Sequence, residues 1–142
     1  MEFRSAKTSD YDLIVSLYKE FRPDWTPQEQ MPQSLDKYPS VVAVEKNKVI
    51  GFAYCYTFAP DILELANIYV SNDFRLSNIG SQLLENLEDQ ITQTKFKGLI
   101  LTNSDLYKAE QDKPSATQFY LKNGYQEIAG TEFTKIFYKE IK

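Results

Sequence analysis

The sequence predicts a single domain of the α/β class, with a mixed sheet covered by helices. Three observations lead to this prediction. Strand-like segments, alternating or fully apolar, recur between segments whose apolar residues have helical spacing. The chain has 142 residues, a usual length for one domain. Hydrophobic residues make up 42% of it, which is enough to form a packed core.

The first elements are a strand and a helix. Residues 1–6 are predicted to form the strand, and Ser9 to cap the helix, whose apolar residues recur at helical spacing as far as Phe21. Pro23 ends this helix. The proline-rich stretch from Pro23 to Pro39 is predicted to be irregular or a short helix, and to cover a site.

A hairpin and a third strand follow. The hairpin joins 41–45 to 49–58 through Lys46-Asn47-Lys48, where Asn47 suits the left-handed geometry of a tight turn. The alternation of side chains predicts one aromatic face on its second strand, made of Phe52, Tyr54, Tyr56 and Phe58. The next strand runs from Ile62 to Val70.

Two more helices and three strands complete the chain. The helices are predicted at 80–94 and from Pro114 to Gly124, because proline suits a first helical turn and glycine a C-terminal cap. The strands are predicted at 98–102, 125–129 and 132–141. The first of these is almost entirely apolar, as in a sheet covered on both faces.

The composition excludes several kinds of chemistry. The chain has no histidine, which removes Ser-His-Asp and Cys-His catalysis and the commonest metal ligand, so we expect no metal. Acid–base work then depends on carboxylates, tyrosine, lysine or water. The lone cysteine, Cys55, lies in a strand and is interpreted as a buried hydrophobe, with a catalytic thiol as the alternative.

Charge and hydropathy indicate the kind of partner. The net charge of −4 disfavours nucleic acid and mildly favours a cationic partner. No apolar stretch has the length of a membrane span, and charged residues interrupt the region where a signal peptide would need an apolar run. We therefore expect a cytoplasmic protein that binds no membrane.

One loop and the helix after it have the features of an anion site. The polar stretch 71–78 leads directly into a helix, whose first amides have no partner within the helix and favour a phosphate. Gly80 permits close approach of the ligand, Asn78 tolerates positive φ, and Arg75 supplies a cation. The alternative is an ordinary helix start with a solvated Arg75.

Two further candidates could carry acid–base chemistry. Helical spacing places Ala116, Phe119 and Tyr120 on one side of the last helix, which indicates either core packing or a tyrosine hydroxyl that reaches a ligand. Glu64 shares strand parity with Ala66, Ile68 and Val70, and an acid among apolar neighbours is a candidate base. The alternative is a solvated strand end. Asn67 is predicted to point to the opposite face.

These segments together resemble the GNAT superfamily of acetyl-CoA-dependent N-acetyltransferases. Its central signature is Arg or Gln, two residues, Gly, one residue, and Gly or Ala; here it is Arg75-Leu-Ser-Asn78-Ile-Gly80, with Asn78 in place of the first glycine. A later signature, Asn-x-x-Ala-x-x-Phe-Tyr followed by Gly-Phe, is similar to the run from Lys113 to Tyr120 followed by Gly124-Tyr125. Lys113 replaces its asparagine.

The resemblance implies a single domain over 1–142, with a mostly antiparallel mixed sheet of six to seven strands and about four helices. It implies that acetyl-CoA is the donor, with its pantetheine arm on the backbone of Ile68, Tyr69 and Val70 and its diphosphate on 76–81 near Arg75. The residues implied for cofactor binding are Ile68, Tyr69, Val70, Arg75, Leu76, Ser77, Asn78, Ile79, Gly80, Ser81, Ala116 and Phe119.

For catalysis, the resemblance implies that Tyr120 protonates the departing thiolate and that Glu64 is the base. The acceptor is then a primary amine, either a small cationic molecule or an amine of a peptide or protein. Its pocket is expected to be formed by the first helix, the loop after it and the last strands, with Phe21, Trp25, Tyr54, Tyr56 and the region near Phe133. The alternative is that these aromatic residues are part of the core.

Two alternative functions and one question of assembly stay open. The departures at Asn78 and Lys113 fit a non-catalytic CoA-binding or interaction module on the same fold. The loop and helix alone fit an unrelated phosphate-binding protein. The closing strands, with Ile136, Phe137 and Tyr138, are also a candidate surface for a homodimer.

Overall fold

The computed structural model describes residues 1–104 and 116–142. The strands within these ranges are β1 (Glu2–Ser5), β2 (Ser40–Glu45), β3 (Lys48–Ala59), β4 (Ile62–Val70), β5 (Gly98–Ser104), β6 (Gln126–Gly130) and β7 (Thr134–Glu140). The helices are α1 (Tyr11–Phe21), α2 (Met31–Lys37), α3 (Ile79–Thr92) and α4 (Thr117–Lys122). Two 3₁₀ turns precede helices, Thr8–Asp10 before α1 and Asn72–Ser77 before α3.

The seven strands form one sheet in the order β1-β2-β3-β4-β5-β7-β6. Each neighbouring pair is antiparallel except β4 and β5, which are parallel. This confirms the predicted mixed, mostly antiparallel sheet. Since β7 has a partner strand on each side, it has no free edge for pairing across a dimer, and β6 is the edge strand at this end.

The helices divide between the two faces of the sheet. One face carries α3 and α4, whose buried side chains Leu83, Leu87 and Tyr120 join a common core. The other face carries α1 and α2, with Ile14 and Leu35 buried among them. Because both faces are covered, the central strands are apolar on both sides. Within the described residues, no helix is long and apolar enough to cross a membrane.

Several predicted boundaries are refined by the structure. The first helix begins at Tyr11, after the 3₁₀ turn, so Ser9 is not its cap. The hairpin turn has two residues in the left-handed region, Lys46 and Asn47, where only Asn47 was expected. Phe58 is 57% exposed beside a register shift and does not extend the aromatic face. Pro114 lies outside the described residues.

The start of α1 is tied to β1 by an ion pair. Asp10 is only 5% exposed and accepts hydrogen bonds from both terminal nitrogens of Arg4, at 2.8 and 2.9 Å. It also accepts one from the Lys7 amide, at 2.9 Å. Through its hydrogen bonds, the Arg4 guanidinium holds the pKa of Asp10 below its usual value. The buried carboxylate thereby fixes the chain between the first strand and the first helix.

Asp10→Asn is expected to destabilise the fold at neutral pH by about 1–3 kcal/mol, because it removes the charge from these hydrogen bonds. A carboxyl whose pKa is lowered by folding stabilises the native state above its unfolded pKa, about 3.9. That contribution is lost as the pH falls through the folded value. Urea denaturation should therefore show the difference in unfolding free energy shrinking below about pH 4. A difference that stays constant across this range contradicts the assignment.

Candidate functional site

A wedge opens between the two parallel strands at the centre of the sheet. β4 and β5 pair only from Ile62 with Gly98 to Glu64 with Ile100. Beyond these pairs, β4 continues to Val70 while β5 follows β7 instead, as far as Ser104 paired with Thr134. Among the described residues, the second half of β4 therefore has no strand partner on the side that faces β5. This wedge is an extended slot lined by main-chain groups.

The direction of those groups follows from the pairing with β3. The amide of Ser71 donates to the Ile50 carbonyl on β3 at 2.8 Å, and backbone groups alternate between the two edges of a strand. Ile68 and Val70 therefore direct their main-chain groups into the wedge. Tyr69, predicted with them, directs its main-chain groups towards Phe52 of β3. Its buried ring joins an aromatic cluster on the α1 face, which is formed with Tyr18, Phe21 and Phe52.

The mouth of the wedge meets the start of α3. Asn78 has φ 62° and ψ 22°, the left-handed conformation expected of it, and connects the 3₁₀ turn to the helix. Within the described residues, the amides of 78–81 donate no hydrogen bond, and the first bond of the helix runs from Gln82 to the Asn78 carbonyl at 3.3 Å. These four amides and the helix dipole form the predicted anion site.

Arg75 is held at the strand end. Its Nε donates to the Val70 carbonyl at 3.0 Å, and its guanidinium carbon lies 5.1 Å from the centre of the Tyr69 ring. One nitrogen of the guanidinium is thus engaged with the wedge, and the cation stacks on the aromatic cluster. Arg75 is exposed, as the phosphate hypothesis needs, but its described contacts are with β4.

Gly80 serves a purpose that the sequence did not reveal. A Cβ atom added there would meet Cε1 and Cζ of Phe119 at 3.1 and 3.2 Å. The glycine therefore admits the ring of Phe119, where close approach of a ligand was expected. A second contact joins the same helices, since Asn123 Nδ2 donates to Ser81 Oγ at 3.1 Å. α4 and the residue after it thus pack against the turn at 78–81, whose amides form the anion site.

The left-handed Asn78 gives a test of the turn. Asn78→Val is expected to destabilise the protein by about 1–2 kcal/mol, because a β-branched side chain crowds the following carbonyl at positive φ. Asn78→Gly is the control and restores the glycine of the family signature, so it should change the unfolding free energy by only a few tenths of a kcal/mol. Urea denaturation measures both. Equal stability of the two variants would show that the turn rearranges.

Tyr120 stands on the α3 and α4 face with its ring packed against Tyr125 and Phe137, at centroid distances of 6.1 and 5.5 Å. It is 7% exposed. Burial raises the pKa of Tyr120 to about 12, with a smaller contribution from Tyr18. Tyr18 belongs to α1 on the other face of the sheet.

The predicted parity of Glu64 is correct for Ala66, which lines the same cavity, and wrong for Ile68, Val70 and Asn67, because of a β-bulge. Glu64 pairs with Tyr56 and Asn67 pairs with Tyr54. Between these two pairs β4 therefore advances by three residues while β3 advances by two, which is a β-bulge. The extra residue, Ala66, reverses the alternation. Glu64 and Asn67 therefore share the aromatic face under α1 and α2, while Ile68 lies on the other face with α3.

Glu64 and Asn67 line a cavity of about 350 Å³ on this face. Its aromatic walls are Trp25, Tyr54 and Tyr56, as expected for an acceptor pocket. Gln28 and Gln30, from the segment between α1 and α2, also line it and had no signal in the sequence. The other two predicted aromatic residues lie elsewhere: Phe21 packs on Tyr69, and Phe133 is an exposed loop residue.

Cys55 is fully buried, and burial raises the pKa of its thiol. A protonated, inaccessible thiol cannot act as a nucleophile, so the interpretation of Cys55 as a core residue is confirmed. Lys113, the other departure from the family signature, lies outside the described residues, as does the rest of the segment 105–115.

Comparison with known proteins gave one family model and many similar folds. The model, described as an acetyltransferase (GNAT) domain, matches residues 36–127. A comparison with curated protein sequences gave no match.

Three solved structures illustrate the likeness. Ard1 from Thermoplasma volcanium has a TM-score of 0.79 and 14% identity, covering 99% of this chain and 97% of that one. An aminoglycoside 6'-N-acetyltransferase complexed with coenzyme A has values of 0.77 and 19%, over 99% and 97% of the two chains. Ribosomal-protein-alanine N-acetyltransferase from Brucella melitensis has 0.76 and 20%, over 99% of each chain. At these identities the likeness is one of fold.

Proposed function

The chain belongs to the GNAT acetyltransferase family, and we propose that it transfers an acetyl group from acetyl-CoA to a primary amine. The observation that carries the proposal is the junction of two unsatisfied main-chain surfaces. The four amides of 78–81 donate no bond within the described residues, and they adjoin the unpaired edge of β4. A ligand with an anionic group followed by an amide-containing arm satisfies both surfaces at once.

Acetyl-CoA has this chemistry and supplies an acetyl group activated as a thioester. Its diphosphate fits the amides at the start of α3, within the predicted run from Leu76 to Ser81 and with Arg75 nearby. The main-chain groups of Ile68 and the amide of Val70 suit the amides of the pantetheine arm, because they face the wedge, whereas the Val70 carbonyl already accepts a hydrogen bond from Arg75. Phe119 and Ala116 pack beside the wedge on the α3 face.

The two acid–base candidates lie on opposite faces of the sheet, with the wedge between them. Glu64 lines the cavity on the α1 and α2 face, where its carboxylate oxygens can accept a proton from the amine, directly or through water. Tyr120 lies on the α3 and α4 face and keeps its proton at neutral pH, because its pKa is about 12. This suits the group that protonates the departing thiolate. The acceptor amine would thus give its proton to Glu64, and the departing thiolate would take one from Tyr120.

Calorimetry with the purified protein and acetyl-CoA tests the first part of the proposal, and binding is the expected result. Release of free thiol across a panel of primary amines tests the second. Absence of binding at millimolar acetyl-CoA would overturn the proposed function. Binding without thiol release from any amine would instead favour the alternative of a non-catalytic CoA-binding module.

A further inference from the structure

The acceptor cavity continues into a second cavity along the sheet. The second one has a volume of about 560 Å³ and lies between α2 and the outer end of β3. The two cavities share three wall residues, Gln30, Tyr56 and Thr57. An acceptor whose amine lies beside Glu64 therefore has a path for the rest of its structure, past Gln30 and under α2.

The charges along this path are sorted by sign. Glu64 is the charged residue in the lining of the first cavity. The second cavity contains Glu29 and Lys37, which stand at opposite ends of α2. Glu29 precedes the helix and adjoins Gln30, the wall shared with the first cavity. Lys37 is the last residue of the helix. The acidic end of the path is therefore beside Glu64, and the basic end is beyond α2.

A second lysine, Lys95, also lies near Tyr38 at the basic end of the path. Tyr38 and Phe96 meet edge to face with their ring centres 6.2 Å apart. Lys37 lies 5.4 Å from the centre of the Tyr38 ring, and Lys95 lies 5.4 Å from the centre of the Phe96 ring. Of the two lysines, Lys37 lines the second cavity, while Lys95 contacts the Phe96 side of the aromatic pair. This arrangement disfavours a second cation there and attracts an anion.

The length of the path limits which acceptors can reach both of its ends. The part of the path under α2 runs from Gln30, just before the helix, to Lys37, and is about 10 Å long because α2 has seven residues at 1.5 Å per residue. An amino acid that carries its amine and carboxylate on the same carbon cannot reach both ends. An extended peptide gains about 3.3–3.6 Å per residue, so about three residues span the distance.

We propose that the acceptor is a dipolar amine, whose ammonium group lies at Glu64 and whose anionic group lies at Lys37. The free amino terminus of a peptide with an acidic residue near its third position has this chemistry, and so does a small amine with a distant carboxylate. The proposal rests on the acetyltransferase function above and narrows its acceptor. The amides of Gln30 and Gln33 suit the peptide bonds between the two ends.

Three amidated tripeptides with free amino termini test it, identical except for Glu, Gln or Lys at the third position. The expected order of kcat/KM is Glu, then Gln, then Lys, with about tenfold between the extremes, since an attraction is exchanged for a repulsion. Lys37→Glu should reverse the order. Lys46→Glu is the control, because it makes the same charge change in the exposed β2–β3 turn and should leave the order intact.

The same preference should appear in calorimetry of the tripeptides on the protein saturated with CoA, which needs no turnover. A ratio of Glu to Lys near one, in turnover or in binding, overturns the proposal, as does equal behaviour of Lys37→Glu and Lys46→Glu. No binding of any tripeptide to a protein that binds acetyl-CoA also overturns it, while the proposed transferase function stands. Faster turnover of 7-aminoheptanoate than of the Glu tripeptide supports the dipolar requirement with a small molecule as its source.

Discussion

Replacing Tyr120 with phenylalanine is expected to lower kcat by about 10²–10⁴-fold, the range for loss of a general acid. The dissociation constant of acetyl-CoA should stay nearly unchanged. The ring makes its contacts with Tyr125 and Phe137 through carbon atoms, which phenylalanine retains. Only the hydroxyl is lost. Steady-state kinetics and calorimetry with acetyl-CoA measure the two effects separately.

Tyr125→Phe is the matched control. Tyr125 is equally buried, but its hydroxyl donates to Glu88 at 2.8 Å, and Glu88 also accepts a hydrogen bond from Lys139 at 2.8 Å. Its loss should cost about 1–2 kcal/mol of stability and leave kcat intact. Tyr120→Phe should show the reverse pattern. Equal losses of turnover and cofactor affinity at Tyr120 would reassign its hydroxyl to binding or packing.

Glu64→Gln is expected to lower kcat/KM for the amine by about 10²–10³-fold near neutral pH, because an amide cannot accept the proton. The variant should recover activity as the pH rises and more of the amine is deprotonated in solution. The amide has nearly the volume of the carboxyl, so the cavity lined by Asn67 and Tyr56 should keep its shape. Acetyl-CoA binding should not change. The measurement is kcat/KM against pH for both proteins.

Glu85→Gln serves as the control, since Glu85 is an exposed residue of α3 and the change of net charge is the same. It should reproduce the wild-type profile. A wild-type rate in Glu64→Gln at neutral pH would show that another group or bulk water takes the proton. An equal fall in both variants would indicate an effect of net charge.

The local features of the site were predictable from the sequence because they depend on neighbours in the chain. A polar loop entering an amphipathic helix predicts unpaired amides, and an asparagine at position 78 tolerates the left-handed conformation that such a turn requires. The structure shows both at 78–81. The absence of histidine restricted the acid and base to other residue types. Likewise, an isolated cysteine in an apolar strand predicted a buried thiol, which Cys55 is.

The tertiary structure alone decided how these pieces combine. The bulge at Ala66 reverses the side chains of β4, and it exists only in the register that β4 adopts against β3. This register brings Glu64 and Asn67 into one cavity, although their spacing in the sequence separates them. Similarly, Gly80 faces Phe119, and β4 parts from β5, because of packing between segments distant in the chain. Periodicity in a sequence reports the geometry of one strand or helix, whereas register and close approach are set by its partner.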